Sequence, residues 1–303
     1  MIRSLKVIAT CALTCALLSS QSFAQSVSLN VPSAWSTLRT DSVIVKAQVD
    51  TAGLKQKQID YTLSSVIGGA TKVIAQKQVK VTDVSSDAFL AKINSNVLGG
   101  TDYLKVEWVV DSQKNEILPV GIVNLEKLPK LNPVQAKFVQ ENAILKEVAD
   151  STKEEHFNKC GTKEYAVFWN SKALFYVLKK SSDSSALSFS IDGKNGKNAF
   201  VSYPDRFIEC KKDSVRGYHY KRNIENSALK YTELNWENEI SKEIIGNKIV
   251  IKMPWFDTGI VPFDGRVIGF SAFRKDKNKV VSSNPEKALE FIPGTWGNLV
   301  LSK

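Results

Sequence analysis

The chain has 303 residues, 43% of them hydrophobic and 24% charged, with four cysteines, two histidines and a formal net charge of +10. The basic excess forms no run and carries no nucleic-acid-binding motif, so nucleic acid is not the expected partner. His156 and His219 stand 63 residues apart without HExxH spacing, which leaves a zinc hydrolase unsupported.

The N-terminus opens with Arg3 and Lys6, follows with an uncharged apolar run from Val7 to Leu18, and closes on Ser22-Phe23-Ala24. This is the pattern of a secretory signal peptide cleaved after Ala24, and its apolar core is too short to span a bilayer. No later stretch approaches 18 uninterrupted apolar residues, so no transmembrane segment is expected in the mature chain. The protein is expected to be exported, to the periplasm, the cell surface or the medium. The mature chain then keeps two cysteines, Cys160 and Cys210, and an oxidising compartment predicts a disulfide between them. Such a bridge closes a 51-residue loop and restricts the unfolded chain by roughly 4 kcal/mol in the chain-entropy picture. Loss of the leader removes two positive charges and leaves +8, nearly all of it, +7, in residues 128–303. The excess fits either an anionic surface or polymer as partner or, as the favoured reading, a solubility role.

Residues 25–127 alternate apolar and polar positions in short runs: Ser42 to Val49, Gln58 to Leu63, Lys72 to Val81, Ala88 to Ile93, Tyr103 to Val110 and Ile117 to Leu125. A period of two marks half-buried strands, and the pairs Gly68-Gly69 and Gly99-Gly100 mark reversals between them. Six or seven strands in about 100 residues predict an immunoglobulin-like β-sandwich. It holds no histidine and no clustered acids, and it reads as a spacer or docking module.

A linker is expected at 128–135, where Pro129 and Pro133 interrupt regular pairing. Val134 to Lys153 fits either a helix, through Phe138, Ile144 and Val148, or a first strand followed by a loop. Strand patterns resume at Glu164 to Phe168, Ala173 to Leu178, Ala186 to Ile191, Ala199 to Tyr203, Lys248 to Met253, Val267 to Phe273 and Leu299 to Leu301. Asp192-Gly193 to Lys197 reads as a hairpin turn and Ile245-Gly246-Asn247 as a second tight reversal.

Four groups of residues in this half share a further pattern. They are Glu164 to Asn170 leading into Ala173 to Val177, Leu187 to Asp192, Gly246 to Trp255 with Val267 to Ala272, and the closing Pro293 to Leu301. In this order they resemble the family nine carbohydrate-binding module, a sugar-binding β-sandwich of secreted proteins, over residues 136–303. The resemblance implies a jelly-roll type sandwich, a carbohydrate ligand and no catalysis. The fold class expected for the whole chain is therefore all-β, with two sandwich domains in tandem. The family's calcium-binding acids appear here as Ser185 and Ser188, with Asp192 retained, so calcium ligands are largely missing and no cofactor is expected. Trp169, Trp255 and Trp296 fall in the fold-defining stretches and read as core.

Sugar recognition asks for flat aromatic faces beside rigid hydrogen-bonding groups. Tyr203, Arg206, Tyr218, Tyr220, Lys221 and Trp236 are the candidates, the rings as platforms and the two cations as donors. The expected partner is a polysaccharide or oligosaccharide; the alternative is a structural or adhesion component whose sandwich meets a cell-surface protein.

Enzymatic readings are weaker. Asp257-Thr258-Gly259 copies the aspartic-protease triplet, but such catalysis needs two carboxylates sharing a proton and the triplet occurs once. A turn after Pro254-Trp255 explains it better. No GxSxG elbow signals a serine nucleophile. A haem held by Met253 and His219 conflicts with the core pattern around Met253.

Overall fold

A computed structural model describes residues 27–30, 34–38, 42–49, 58–80, 88–92, 102–110, 113–122, 133–256 and 258–303. The expected leader, most of the expected linker and Asp257 lie outside the described residues. Among the described residues there are twenty-one strands and one helix, α1 (Leu145–Ser151), so the fold is all-β.

The first half forms two sheets. One joins β1 (Val27–Asn30), β3 (Ser42–Val49) and β6 (Ala88–Lys92). The other runs in the order β2 (Thr37–Leu38), β8 (Gln113–Ile122), β7 (Tyr103–Val110), β4 (Gln58–Ile67), β5 (Ala70–Lys80). Consecutive strands are thus dealt between two sheets, the immunoglobulin-like plan. Alternation is the cause: Ile59, Tyr61 and Leu63 of β4 are buried beside Leu104 and Val106 of β7. Gly68 and Gly69, with φ of 55° and 88°, make the two-residue reversal between β4 and β5 that side-chain-bearing residues adopt at a cost.

The second half is one continuous path of strands folded into two layers. The first layer runs β16 (Ala228–Asn235), β15 (Val215–Glu225), β14 (Arg206–Cys210), β13 (Ala186–Asp192), β19 (Val267–Asp276) and β21 (Gly297–Ser302). The second runs β9 (Val134–Phe138), β11 (Lys163–Trp169), β12 (Ala173–Lys179), β18 (Lys248–Pro254) and β17 (Ser241–Ile245). Short strands β10 (Asn158–Cys160) and β20 (Lys279–Asn284) flank β11 and β19. β9 joins the layers, pairing in parallel with β21 on one side and β11 on the other. That the layers face each other follows from the core. Tyr176 of β12 stacks on Phe189 of β13 at 4.2 Å, although these strands are not neighbours in the path.

Both outer faces are covered too, which is why β12 and β13 are buried along nearly their whole length. Val148 and Ala149 of α1 cover Phe168, Phe175 and Val177. On the other side the segment 285–296 brings Ala288, Phe291 and Trp296 over Phe207, Tyr218 and Tyr220. Trp169, Trp255 and Trp296 are all buried, the place their motifs indicated.

No ladder joins the halves among the described residues. They meet through side chains. Phe200 is buried against Val66 and Tyr103, meets Trp35 edge-on at 5.6 Å, and Arg222 lies 4.5 Å over the Trp35 ring. The Tyr103 hydroxyl donates to the Ser227 carbonyl at 2.8 Å.

Three local expectations are corrected. Ala199 to Tyr203 is not a strand: Val201 N–H bonds to the Phe291 carbonyl, a loop rather than a sheet partner. The 192–197 segment is not a hairpin turn but the start of a longer connection from β13 to β14, bent by Asn195 and Lys197 in left-handed conformation. Val134 to Lys153 divides between both readings, a strand at β9 and then the short helix α1. The reversal at Gly246, with φ of 58°, joins β17 to β18 as expected.

Candidate binding site

On β15 successive side chains point to opposite faces, and this separates the six candidate residues. Tyr218 and Tyr220 point to the outer face, where they are 0% and 8% exposed. Phe207 stacks on Tyr218 at 5.4 Å, and Phe291 closes on Tyr220 at 5.0 Å. Burial pushes both phenol pKa values up. The Tyr218 hydroxyl is spent internally, shared with Ser188 Oγ at 3.1 Å and accepting from Lys275 Nζ at 3.1 Å. The expected open face of four rings is therefore not formed. The fully covered outer face of the first layer turns two of its members into core.

Tyr203, Arg206 and Trp236 come together on the opposite side, the face of β15 to which Lys221 also belongs. Arg206 lies between two rings, its guanidinium carbon 5.2 Å from the Tyr203 centroid and 5.2 Å from that of Trp236. Its Nη1 also donates to the Tyr203 carbonyl. Trp236 is buried and packs into the sandwich interior, so it is a support rather than a platform. Tyr203 is 66% exposed and meets the His219 ring edge-on at 4.9 Å. Lys221 is exposed two residues beyond His219, and Leu234, the cross-strand partner of His219, is 38% exposed. The result is one exposed phenol ring held by a cation–π stack, with Lys221 on the same face of β15 as His219. His219 went unselected in the sequence; its position between Tyr218 and Tyr220 places it with Tyr203 once β15 is known to be a strand.

The expected disulfide is absent: Cys160 and Cys210 are both free and buried. The thiol of Cys160 donates to the Ala272 carbonyl at 3.4 Å and that of Cys210 to the Lys211 carbonyl at 3.5 Å. Each sulfur is thus accommodated separately. Burial raises both thiol pKa values, that of Cys210 to about 11, so neither is poised as a nucleophile.

Among the described residues no group of three or more His, Cys, Asp or Glu side chains is placed to hold a metal ion. Asp192 is buried, and its Oδ1 accepts from the Lys194 N–H. Nearby Lys197 sends its ammonium to the carbonyls of Trp296 and Gly297, both at 2.6 Å. Burial lowers the Lys197 pKa to about 8, against the pull of Asp192. A lysine thus ties the closing strand beside the one acid that the calcium pattern retains. Thr258 is a turn residue, its hydroxyl donating to the Trp255 carbonyl at 2.6 Å and accepting from Ile260 N–H. Met253 is fully buried in the core. The connection from β18 to β19 buries Trp255 and Ile260 but exposes Phe256 at 79% and Val261 at 73%.

No protein-family model matches the chain, and no curated protein matches it. Solved structures of a marsupial T cell receptor align with it at low similarity. One is 11% identical with a TM-score of 0.21, covering 91% of this chain and 72% of that one; another is 8% identical with a TM-score of 0.22, covering 85% and 94%. Scores this low carry no inference about this chain. No helix among the described residues is long and apolar enough to cross a membrane.

Proposed function

We propose that the protein is an exported, non-catalytic glycan-binding protein, its N-terminal half presenting a sandwich that stacks a sugar ring on Tyr203. The observation that supports this is the Tyr203–Arg206–Trp236 stack, which leaves one phenol face open and fixes its orientation before ligand arrives. Pre-organised aromatic faces lose little entropy on binding. The resemblance of residues 136–303 to family nine carbohydrate-binding modules points the same way, as does the leader for export. Affinity electrophoresis against glucans, xylans and mannans tests the reading. At least one should retard the protein, and Tyr203→Ala should weaken that binding by about five- to tenfold with an unchanged circular dichroism spectrum. No retardation by any of them, or equal retardation of the variant, would sink it.

A second reading, attachment to a cell-surface protein, is favoured by the exposed Phe256 and Val261. Phe256→Ser with Val261→Ser would then abolish pull-down of that partner and leave glycan retardation intact.

A further inference from the structure

Away from Tyr203, three turns of the second half meet around a cleft of about 420 Å³: 181–185 before β13, 211–214 between β14 and β15, and 276–279 between β19 and β20. Lys211, Lys212, Lys275 and Lys277 line it, against Asp213 and Asp276, which leaves the lining net positive by two. Hydroxyls of Ser184, Ser185 and Ser214 add hydrogen-bonding capacity.

The rim is held by side chains that are themselves spoken for. Asp183 accepts from Thr162 Oγ1 at 2.7 Å, from Ser185 N–H at 2.8 Å and from Arg274 Nε at 3.0 Å, which fixes the first turn. Lys163 Nζ donates to the Asp183 carbonyl at 2.5 Å. Lys242 Nζ reaches across from β17 to the carbonyls of Lys211 and Lys212, at 3.0 and 2.6 Å, and fixes the second. Of the lining lysines, Lys211 pairs with Glu209 at 3.2 Å and Lys275 with Glu290 and Tyr218. Lys212 and Lys277 are exposed, and neither has an ion-pair or hydrogen-bond partner for its ammonium among the described residues. Lys277 also sits in left-handed backbone, with φ of 46°, where a turn ordinarily places Asn or Gly. Two solvent-facing ammonium groups beside hydroxyls, one of them on a pinned turn, offer charge-assisted donors to a small oxyanion.

We propose that this cleft binds the carboxylate of an acidic glycan, with Lys212 and Lys277 as the ion-pairing groups. The proposal rests on the glycan reading above and adds a charged contact distinct from the Tyr203 stack. Calorimetry on the mature chain with polygalacturonate, neutral dextran and inorganic phosphate tests it, using wild type, Lys212→Gln with Lys277→Gln, and Tyr203→Ala. Both lysines are exposed and unpaired, so the double variant should keep its fold. The expected result is binding of polygalacturonate that falls about tenfold in the double variant, and weakens with added salt. Polygalacturonate binding that the double variant keeps, while Tyr203→Ala loses it, overturns the cleft and leaves the glycan reading standing. Phosphate binding that the double variant loses, with neither polymer bound, means a free-ion site and overturns the acidic-glycan proposal, while the glycan reading is judged by the electrophoresis above. Binding of no probe overturns the cleft, and the glycan reading then stands or falls on the glucan, xylan and mannan electrophoresis above.

Discussion

Asp205 is 1% exposed, and its Oδ2 accepts from the N–H and hydroxyl of Ser202 at 2.6 and 3.0 Å. Burial, helped by the nearby charge of Asp192 and opposed by Arg222, pushes its pKa from the ordinary 3.8 up to about 7. The folded state therefore keeps a proton that the unfolded chain gives up near pH 4. Its contribution to stability is complete below pH 4 and drains away as pH rises to about 7. Asp205→Asn keeps an acceptor for Ser202 without the titration, so it should flatten this part of the curve. The expected gain over wild type at pH 8 is about 4 kcal/mol in urea unfolding; parallel curves for the two proteins would refute the assignment. The cysteines give a second residue-scale expectation. Iodoacetamide should leave Cys160 and Cys210 untouched in the folded protein and modify both after denaturation without reductant. A chain that stays unmodified under denaturing conditions would instead reveal the disulfide that the compartment alone suggested.

Gly217 shows how closely β15 approaches its neighbours. A Cβ there would stand 2.7 Å from Ile240 Cδ1 and 2.8 Å from Trp236 Cε3, both parts of packed side chains. Gly217→Ala should cost about 1–3 kcal/mol, seen as a lower urea midpoint, and should shift tryptophan emission as Trp236 is displaced. An unperturbed spectrum would mean that Trp236 is not held against this strand. Strands with clean alternation were legible in the sequence: β3 and β7 match their expected ends residue for residue. β14 to β17 were not. β15 reads as a mixture of aromatic, basic and small residues because its outer face is covered by the 285–296 segment, and β16 is largely exposed, so neither carries a simple apolar period. The same omission misassigned the site. Sequence proximity grouped Tyr203, Arg206, Tyr218, Tyr220, Lys221 and Trp236, whereas strand geometry sends the middle tyrosines to one face and leaves the rest on the other. The Lys212 and Lys277 cleft left no trace either, since its three turns lie far apart in the chain.

At the scale of the molecule, the buried ring of Phe200 sits at the centre of the contact between the two halves. Phe200 is 1% exposed between Trp35, Val66 and Tyr103, and a Cβ on Gly121 would come within 2.4 Å of Ala199. Phe200→Ala removes a side chain whose loss from a packed site costs about 3–5 kcal/mol. Because that energy lies at the junction, calorimetry should show the melting of the two halves drawn further apart than in wild type. A uniform downward shift of an unchanged profile would place Phe200 inside one core instead. The position of β9 between β21 and β11 has a consequence for where the chain can be cut. The strand Gly297–Ser302 is an inner plank of the two-layer path rather than its edge, so the path stays broken between β19 and β9 until that strand is in place. A chain truncated before Gly297–Ser302 would expose the flanks of β9 and β19 together, a sticky seam that makes such a truncation a hazard for solubility.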